Sequence, residues 1–358
     1  EEGHDVVTLT RHEPSQPSDR RWDPSSLSID PLYLDDVDAV VNLAGAPIAG
    51  SRWTDDYKDT LVSSRVNSTR LVVQALESSS RCRIFLSGSA VGFYGAHCGD
   101  RWLYEDDRSG SGFLAQVCRS WEEAAASAPQ RVRVATLRTG QVISPSGGFL
   151  GKERPLFQFG LGGKVGDGRQ YLSWISLDDH VSAMVKILTD DTITGPVNLT
   201  GPAPATNAQF TKALAKALHR PAVVPFPTPI AKAVLGPELV DETICAGQRV
   251  KPAKLLDHGH VEADALIALL QQAAQGLDSL GRRFEPQAVP RLGQPLPGEE
   301  FAGVRLAVRR QVGVVNGRPQ WTVPVDTAQR VTGHGDDVRD IALGETPERG
   351  GAVDQVGG

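Results

Sequence analysis

The side chains best suited to acid and base chemistry lie in the segment FLSGSAVGFYG, residues 85–95. The hydroxyl of Ser89 could hydrogen-bond a substrate carbonyl, and Tyr94 carries the nearest phenol that could donate a proton. A second interpretation of Tyr94 is that its ring packs inside the fold or shapes the turn after the strand. The packing interpretation is the simpler one, and the proton donor is kept as the alternative.

A second candidate site follows the apolar run DAVVNL, where Leu43, Ala44 and Gly45 come next to one another. A strand that ends in this way lets the backbone approach the adenosine half of a dinucleotide, because small residues remove side-chain obstruction. The alternative is a plain strand-to-loop turn. The neighbouring motifs favour the ligand-binding interpretation.

Apolar runs alternate with helical periodicities along much of the chain. The strand patterns lie at 3–11, 38–43, 83–87, 133–138, 171–175 and 197–199, and the helical patterns at 55–77, 112–126, 178–188 and 207–218. Such alternation predicts a parallel sheet covered on both faces, in a doubly wound α/β fold. Two further helical patterns, at 230–235 and 237–250, predict a small lobe.

Bulk properties exclude several classes of protein. The net charge of −6 disfavours a nucleic-acid binder, and no apolar run is long enough to span a membrane. The four cysteines form no metal-binding or disulfide pattern, and no secretory leader opens the sequence. We therefore expect a cytoplasmic protein.

Both ends of the chain are abrupt. Residues 281–358 are dense in Gly, Pro, Arg and Asp and contain no helix-length apolar stripe. We predict a domain at 1–225, a small helical lobe at 226–275 and a disordered or non-native tail at 276–358. A mis-joined terminus is the alternative for the tail.

Several long motifs carry a resemblance to a known family. The segments DAVVNLAGAPI, FLSGSAVGFYG, LRTGQVISPSGG, PVNLTGPAPATNAQF and GQRVKPAKLLDHG follow one another in the family's order. Over roughly residues 3–260 the chain resembles the atypical, extended short-chain dehydrogenases/reductases of the NAD-dependent epimerase type. Members are often labelled cell-division inhibitor or SulA-like and carry a small C-terminal domain of unknown function.

The resemblance implies a Rossmann-type fold and a nicotinamide cofactor. Arg11 ends the strand at which the family distinguishes the two ribose types, and an arginine there pairs with a 2′-phosphate, so NADP(H) is expected rather than NAD. An exposed loop arginine is the alternative. The other residues assigned to the cofactor are Leu43, Ala44, Gly45, Arg65, Ser87, Arg138 and Thr139, and those assigned to the substrate pocket are Gln170, Ser173 and Trp174.

The chain departs from the family in two places. The family's first strand and glycine-rich turn would precede Arg11, so we expect an open slot in the sheet, poor folding or weak cofactor binding. The family's Tyr-x-x-x-Lys pair, which moves the proton, would fall on Leu114 and Cys118, so the usual acid/base machinery is absent.

These observations predict an NADP(H)-dependent oxidoreductase or epimerase that acts on a small or nucleotide-linked carbonyl or alcohol. The alternative is a cofactor-binding regulatory protein without activity, or an inactive fragment. A homodimer is compatible with the resemblance, and no metal is expected.

Overall fold

The computed structural model describes residues 4–144, 150–151, 156–159 and 162–260, together with the backbone of 305–309, 314–315 and 318–319. The chain divides into two units. The first, Gly3–Gln311, contains the main sheet and all the helices named below. The second, Val312–Gly358, is described only at a short antiparallel hairpin of β14 (Val314–Val315) and β15 (Arg318–Pro319).

A seven-stranded sheet forms the centre of the first unit. Its order is β10-β6-β4-β3-β13-β1-β2. The strands are β1 (Asp5–Thr10), β2 (Asp19–Arg21), β3 (Ala39–Asn42), β4 (Ile84–Ala90), β6 (Arg133–Thr139), β10 (Gly195–Leu199) and β13 (Arg305–Arg309). All neighbouring pairs are parallel except those of β13, which runs antiparallel to both β1 and β3.

Helices cover both faces of this sheet, as the alternating pattern predicts. Leu71, Leu76 and Ala125 pack with Phe85 on one face, whereas Ile187 packs in a second core on the other. The helices are α1 (Asp55–Ser78), α2 (Phe113–Ala126), α3 (Leu177–Thr189), α4 (Asn207–Ala217), α5 (Thr228–Leu235), α6 (Pro237–Glu242) and α7 (Ala253–Asp257). The fold is a Rossmann-like α/β fold, as expected.

The sheet differs from the expectation of an open central slot. Strand β13 lies between β1 and β3, with Arg305 opposite Asn42 and Val308 opposite both Ala39 and Val6. The strand comes from the segment predicted to be a disordered or non-native tail, and the rest of 276–358 apart from the three C-terminal strands lies outside the described residues. An antiparallel strand at this position hydrogen-bonds its neighbours, so neither β1 nor β3 presents a free edge there.

Four short pairings complete the strands of the first unit. β5 (His97–Leu103) pairs in parallel with β12 (Gly247–Val250), and β7 (Gln141–Ser144) pairs in parallel with β9 (Trp174–Ser176). β8 (Tyr171–Leu172) pairs antiparallel with β11 (Ala205–Thr206). The fourth is an isolated bridge between Asp23 and Ser28. The β5–β12 pairing ties the small lobe to the segment that follows Tyr94.

One local prediction is corrected. The segment 237–250 was predicted to be one helix, but α6 ends at Glu242 and β12 begins at Gly247. Helix α4 is capped by Thr206, because Thr206 and Gln209 form a reciprocal capping box. The side chain of Asn207, the first residue of α4, accepts a hydrogen bond from the backbone of Val165 at 2.8 Å.

Candidate functional site

The carboxyl ends of four parallel strands bring the predicted polar residues to one edge of the sheet. Ser89 on β4 lies opposite Arg138 on β6, and Arg138 lies opposite Asn198 on β10. Ser87 lies opposite Asn42, immediately before the Leu43–Gly45 turn. Chain segments far apart in sequence therefore meet at the edge where ligands bind in open α/β sheets.

Ser89 is held by a carboxylate from α2. Its hydroxyl donates to Glu122 Oε1 at 2.6 Å, and Arg138 donates to the same carboxylate from Nε and Nη2, each at 2.9 Å. The Arg138 side chain is only 3% exposed. A bidentate, buried guanidinium fixes the carboxylate in one orientation, and the carboxylate in turn fixes the Ser89 rotamer.

Tyr94 belongs to the same buried network. Its hydroxyl is within hydrogen-bond distance of Asn198 Oδ1 (2.7 Å) and the Tyr104 carbonyl (3.0 Å), and it accepts from Arg138 Nη1 at 3.1 Å. Burial raises the pKa of the Tyr94 phenol to about 12. A phenol enclosed in this way is a structural group, so the packing interpretation of Tyr94 fits its position and the proton-donor interpretation does not.

The network continues to the small lobe through a buried carboxylate. Glu105 Oε1 accepts from the backbone of Asn198 and of Lys254, each at 3.2 Å, while Asn198 Nδ2 donates to the Lys251 carbonyl at 2.9 Å. Burial raises the pKa of Glu105 above its usual value. The segment that begins α7 is thus anchored to the strand that faces Arg138.

The positions that the family's proton-transferring pair would occupy lie beside the Ser89 segment. Leu114 and Cys118 both face Gly92, and Cys118 is buried with its thiol 3.7 Å from the Ala90 carbonyl. Burial raises the pKa of the Cys118 thiol to about 11. Neither a leucine side chain nor a buried thiol can take over the proton transfer of a tyrosine–lysine pair.

Thr139, predicted to lie near the nicotinamide, contacts a histidine that the sequence did not single out as functional. The Thr139 hydroxyl lies 3.2 Å from His180 Nε2, and His180 is 7% exposed. Burial lowers the pKa of His180 to about 4. The imidazole is therefore neutral at physiological pH.

We expect His180 to make the protein sensitive to acid. Burial depresses the pKa of His180 only in the folded state, so between pH 6.5 and about pH 4 the unfolded chain binds a proton that the folded protein does not. The free energy of unfolding is therefore highest above pH 6.5 and decreases as the pH falls to about 4. Relative to His180→Gln, the free energy of unfolding of the wild type should drop by about 3 kcal/mol over that window. Urea titrations at several pH values measure the difference, with exposed His219→Gln as the control. Equal pH dependence of the wild type and His180→Gln would contradict the assignment.

The predicted cofactor edge consists of the turn after β3 and of α1. Leu43, Ala44 and Gly45 are partly buried, and the Ala44 amide donates to Asn42 Oδ1 at 3.1 Å. A β-carbon on Gly45 would lie 2.9 Å from the Arg65 guanidinium carbon, so that arginine lies directly against the turn. The sequence predicted that the missing side chain of Gly45 lets a ligand approach the backbone. In the structure the Arg65 side chain occupies that space.

Arg11 and Ser87 occupy contrasting environments. Arg11 follows the last residue of β1 and is exposed, so it is accessible to a ligand at the sheet edge. Ser87 is fully buried, and its hydroxyl donates to the Gly88 carbonyl at 3.4 Å. Of these two predicted cofactor residues, only Arg11 has a side chain free to meet a ligand.

The three predicted substrate residues have structural contacts. Ser173 is 3% exposed and bridges β12, accepting from the Val250 amide and donating to the Gln248 carbonyl. Trp174 is 2% exposed and donates to the Ala203 carbonyl, and Gln170 donates to the Val165 carbonyl. Both side chains are buried, Ser173 against β12 of the lobe and Trp174 against the segment at Ala203. Their assignment to a substrate pocket stays a prediction.

A cavity of about 550 Å³ lies between the segment after Tyr94 and helix α6. Glu242, at the end of α6, accepts from the backbone amides of Phe113 and Leu114 at 2.7 Å each and so caps α2. The wall also includes His97, Cys98, Arg101, Ser111, Glu238 and Asp241. No sequence pattern indicated this cavity, because its walls come from segments more than a hundred residues apart.

No helix in the part of the chain that the structure describes is long and apolar enough to cross a membrane. No group of three or more His, Cys, Asp or Glu side chains in the same part of the chain is arranged to hold a metal ion.

Comparisons with known proteins identify relatives of the chain. Residues 1–200 match the model of the "NAD dependent epimerase/dehydratase family". An epimerase family protein of Mycobacterium tuberculosis is 45% identical over 253 residues, which cover 70% of this chain and 83% of the relative. The chloroplastic homolog of epimerase family protein SDR39U1 from Arabidopsis thaliana is 36% identical over 242 residues, covering 65% and 68%.

Solved structures give the same picture. Human epimerase family protein SDR39U1 with NADPH superposes with a TM-score of 0.69 at 28% identity, covering 76% of this chain and 92% of that one. A nucleoside-diphosphate sugar epimerase from Corynebacterium glutamicum superposes with a TM-score of 0.62 at 35% identity, covering 77% and 56%.

Proposed function

Because the chain belongs to the NAD dependent epimerase/dehydratase family, we propose that it is an NADP(H)-linked oxidoreductase or epimerase. Its substrate would be a small or nucleotide-linked carbonyl or alcohol. The carrying observation is Ser89, which Glu122 and Arg138 hold rigidly at the carboxyl edge of the sheet beside the strand that leads into the Leu43–Gly45 turn.

One described residue bears on which cofactor is preferred. Exposed Arg11 suits a ribose 2′-phosphate, and the human relative was solved with NADPH, which supports NADP(H) over NAD. We therefore propose that the chain prefers the phosphorylated cofactor.

A bound nicotinamide would exchange a hydride with the substrate carbon. Ser89 gives its own hydrogen to Glu122, so in this arrangement its lone pairs accept a hydrogen bond from a substrate hydroxyl. Donation to a carbonyl would require the Ser89 hydroxyl to rotate away from Glu122. The chain is thus arranged to orient an alcohol oxygen, and the proton would pass to water, since Tyr94 is enclosed.

The alternative, a regulatory protein that binds the cofactor without turnover, is favoured by a specific observation. Leu114 and Cys118 replace the proton-transferring pair, and burial commits the Tyr94 phenol to the internal network. The contacts of the described residues give no support to a role in cell division.

An assay of hydride transfer separates the two functions. We expect the chain to oxidise NADPH slowly with at least one member of a panel of aldehydes and ketones, and to reduce NADP⁺ with the matching alcohol. Ser89→Ala should reduce turnover at least tenfold, which equals about 1.4 kcal/mol of transition-state stabilisation. Ser63→Ala, which removes an exposed hydroxyl from α1, should not. Cofactor binding without turnover on any substrate would favour the regulatory function.

The short-chain dehydrogenase type, cytoplasmic location and homodimeric state belong to the same proposal. They are supported by the family resemblance, the charge of −6 and the scattered cysteines. Light scattering over a range of micromolar concentrations tests the homodimer. A monomeric mass at every concentration would contradict the proposed homodimeric state.

A further inference from the structure

Arg65 is a buried cation whose charge no described carboxylate balances. It projects from α1 and is 8% exposed, and its guanidinium donates to the backbone carbonyls of Leu61 (3.0 Å) and Ala46 (2.9 Å). Arg138, the other arginine of the site, has the bidentate partner Glu122. Burying a guanidinium without an ionic partner costs several kcal/mol, and an anionic or oxygen-rich ligand would offset that cost.

The position of Arg65 relates it to the reacting edge. Its guanidinium lies against the Gly45 turn, and 5.3 Å separates its central carbon from the centre of the Trp121 ring. Trp121 lies on α2 between Cys118 and Glu122, and its ring fills the space above Gly88. Arg65 therefore bridges the cofactor-edge turn and the helix that would carry the proton-transferring pair.

The Arg65 charge also acts electrostatically on the side chain at position 118. That side chain is the Cys118 thiol, which contacts the Ser89 hydroxyl. The positive charge of Arg65, on α1, therefore acts near position 118 on α2, where the family resemblance would place the lysine.

We propose that Arg65 supplies, from α1, the fixed positive charge that the absent lysine would supply from α2, acting on the oxygen atoms of a ligand bound between the Gly45 turn and Ser89. The identity of that ligand rests on the proposed function. The location of the charge does not depend on the proposed function. Arg65 is a positioning residue whose charge orients and stabilises oxygen-rich groups between the Gly45 turn and Ser89.

A double-mutant cycle tests the location of the charge. We compare Cys118→Lys with the uncharged, similarly long Cys118→Met, each in the wild type and in Arg65→Met, by urea unfolding. In the wild type the lysine should raise the unfolding equilibrium constant at least tenfold more than the methionine does, because two cations would share one buried space. In Arg65→Met that excess should disappear. An unchanged excess would overturn the proposal.

If the Cys118 variants fail to fold, the urea midpoint of Arg65→Met tests the proposal instead. A cation retained for a ligand contributes little to the ligand-free fold, so Arg65→Met should leave the urea midpoint unchanged or raise it. A fall as large as that of Glu122→Ala would show that Arg65 holds the fold and would overturn the proposal.

NADPH titration supplies the functional arm. Arg65→Met should weaken NADPH binding at least tenfold, and Arg65→Lys should restore most of it, because lysine keeps the charge. If the wild type binds NADPH and Arg65→Met binds it equally well, the proposal fails while the proposed function stands. If the wild type binds no NADPH, the proposed function fails, and the cycle at position 118 still decides where the charge lies.

Discussion

Replacing Glu122 by alanine should lower the free energy of unfolding by about 3–5 kcal/mol, because it leaves the buried Arg138 guanidinium without its ionic partner. The same change removes the acceptor of the Ser89 hydroxyl. We expect Ser89 to become mobile, and under the proposed function hydride transfer should fall together with stability. Urea unfolding at neutral pH measures the first effect, and the turnover assay measures the second.

The next residue along α2 provides the matched control. Glu123 is exposed, so Glu123→Ala should change the unfolding free energy by no more than about 0.5 kcal/mol. Glu122→Gln keeps the size of the side chain and loses its charge, and it should fall between the two. Equal stability of Glu122→Ala and Glu123→Ala would show that the Arg138 pair does not hold the site.

Gly88→Ala should destabilise the protein by about 1–3 kcal/mol through overpacking. A β-carbon at this position would lie 2.5 Å from the Trp121 ring, and that ring is buried and tied to Thr69 by a 3.0 Å hydrogen bond from its indole nitrogen. Displacing Trp121 also disturbs the surface on which Arg65 stacks. Thermal unfolding and near-UV circular dichroism, which reports the tryptophan environment, measure both effects.

Gly92→Ala is the control for this substitution. A β-carbon on Gly92 would meet Leu114 at 3.5 Å and the Cys118 sulfur at 3.9 Å, which are ordinary contacts. We expect a small effect from Gly92→Ala and a large one from Gly88→Ala. A larger destabilisation by Gly92→Ala than by Gly88→Ala would mean that the Trp121 ring can shift at little cost and does not fix the site.

Hydrophobic periodicity predicted most of the fold. The helical pattern at 55–77 became α1 (Asp55–Ser78), and the strand pattern at 133–138 became β6 (Arg133–Thr139), because each pattern reports burial on a regular element. The failures were elements whose form depends on a distant partner. Strand β5 forms by pairing with β12 across about 150 residues, and no local pattern carries that information.

The candidate site was predictable in its location and not in its contacts. Strand ends placed Ser89, Arg138 and Thr139 together, since the carboxyl ends of parallel strands share one edge. The partners Glu122 and His180 approach from helices 33 and 41 residues away, and their side-chain directions emerge only from packing. Burial of Ser173 and Trp174 was missed for the same reason.

The most direct test of the account is a calorimetric titration of this chain with NADPH and with NADH, repeated with Arg11→Ala. The account predicts saturable NADPH binding, NADH binding about tenfold weaker, and loss of that difference in Arg11→Ala. Equal binding of the two cofactors, or no saturable binding of either, would contradict the proposed NADP(H) function itself.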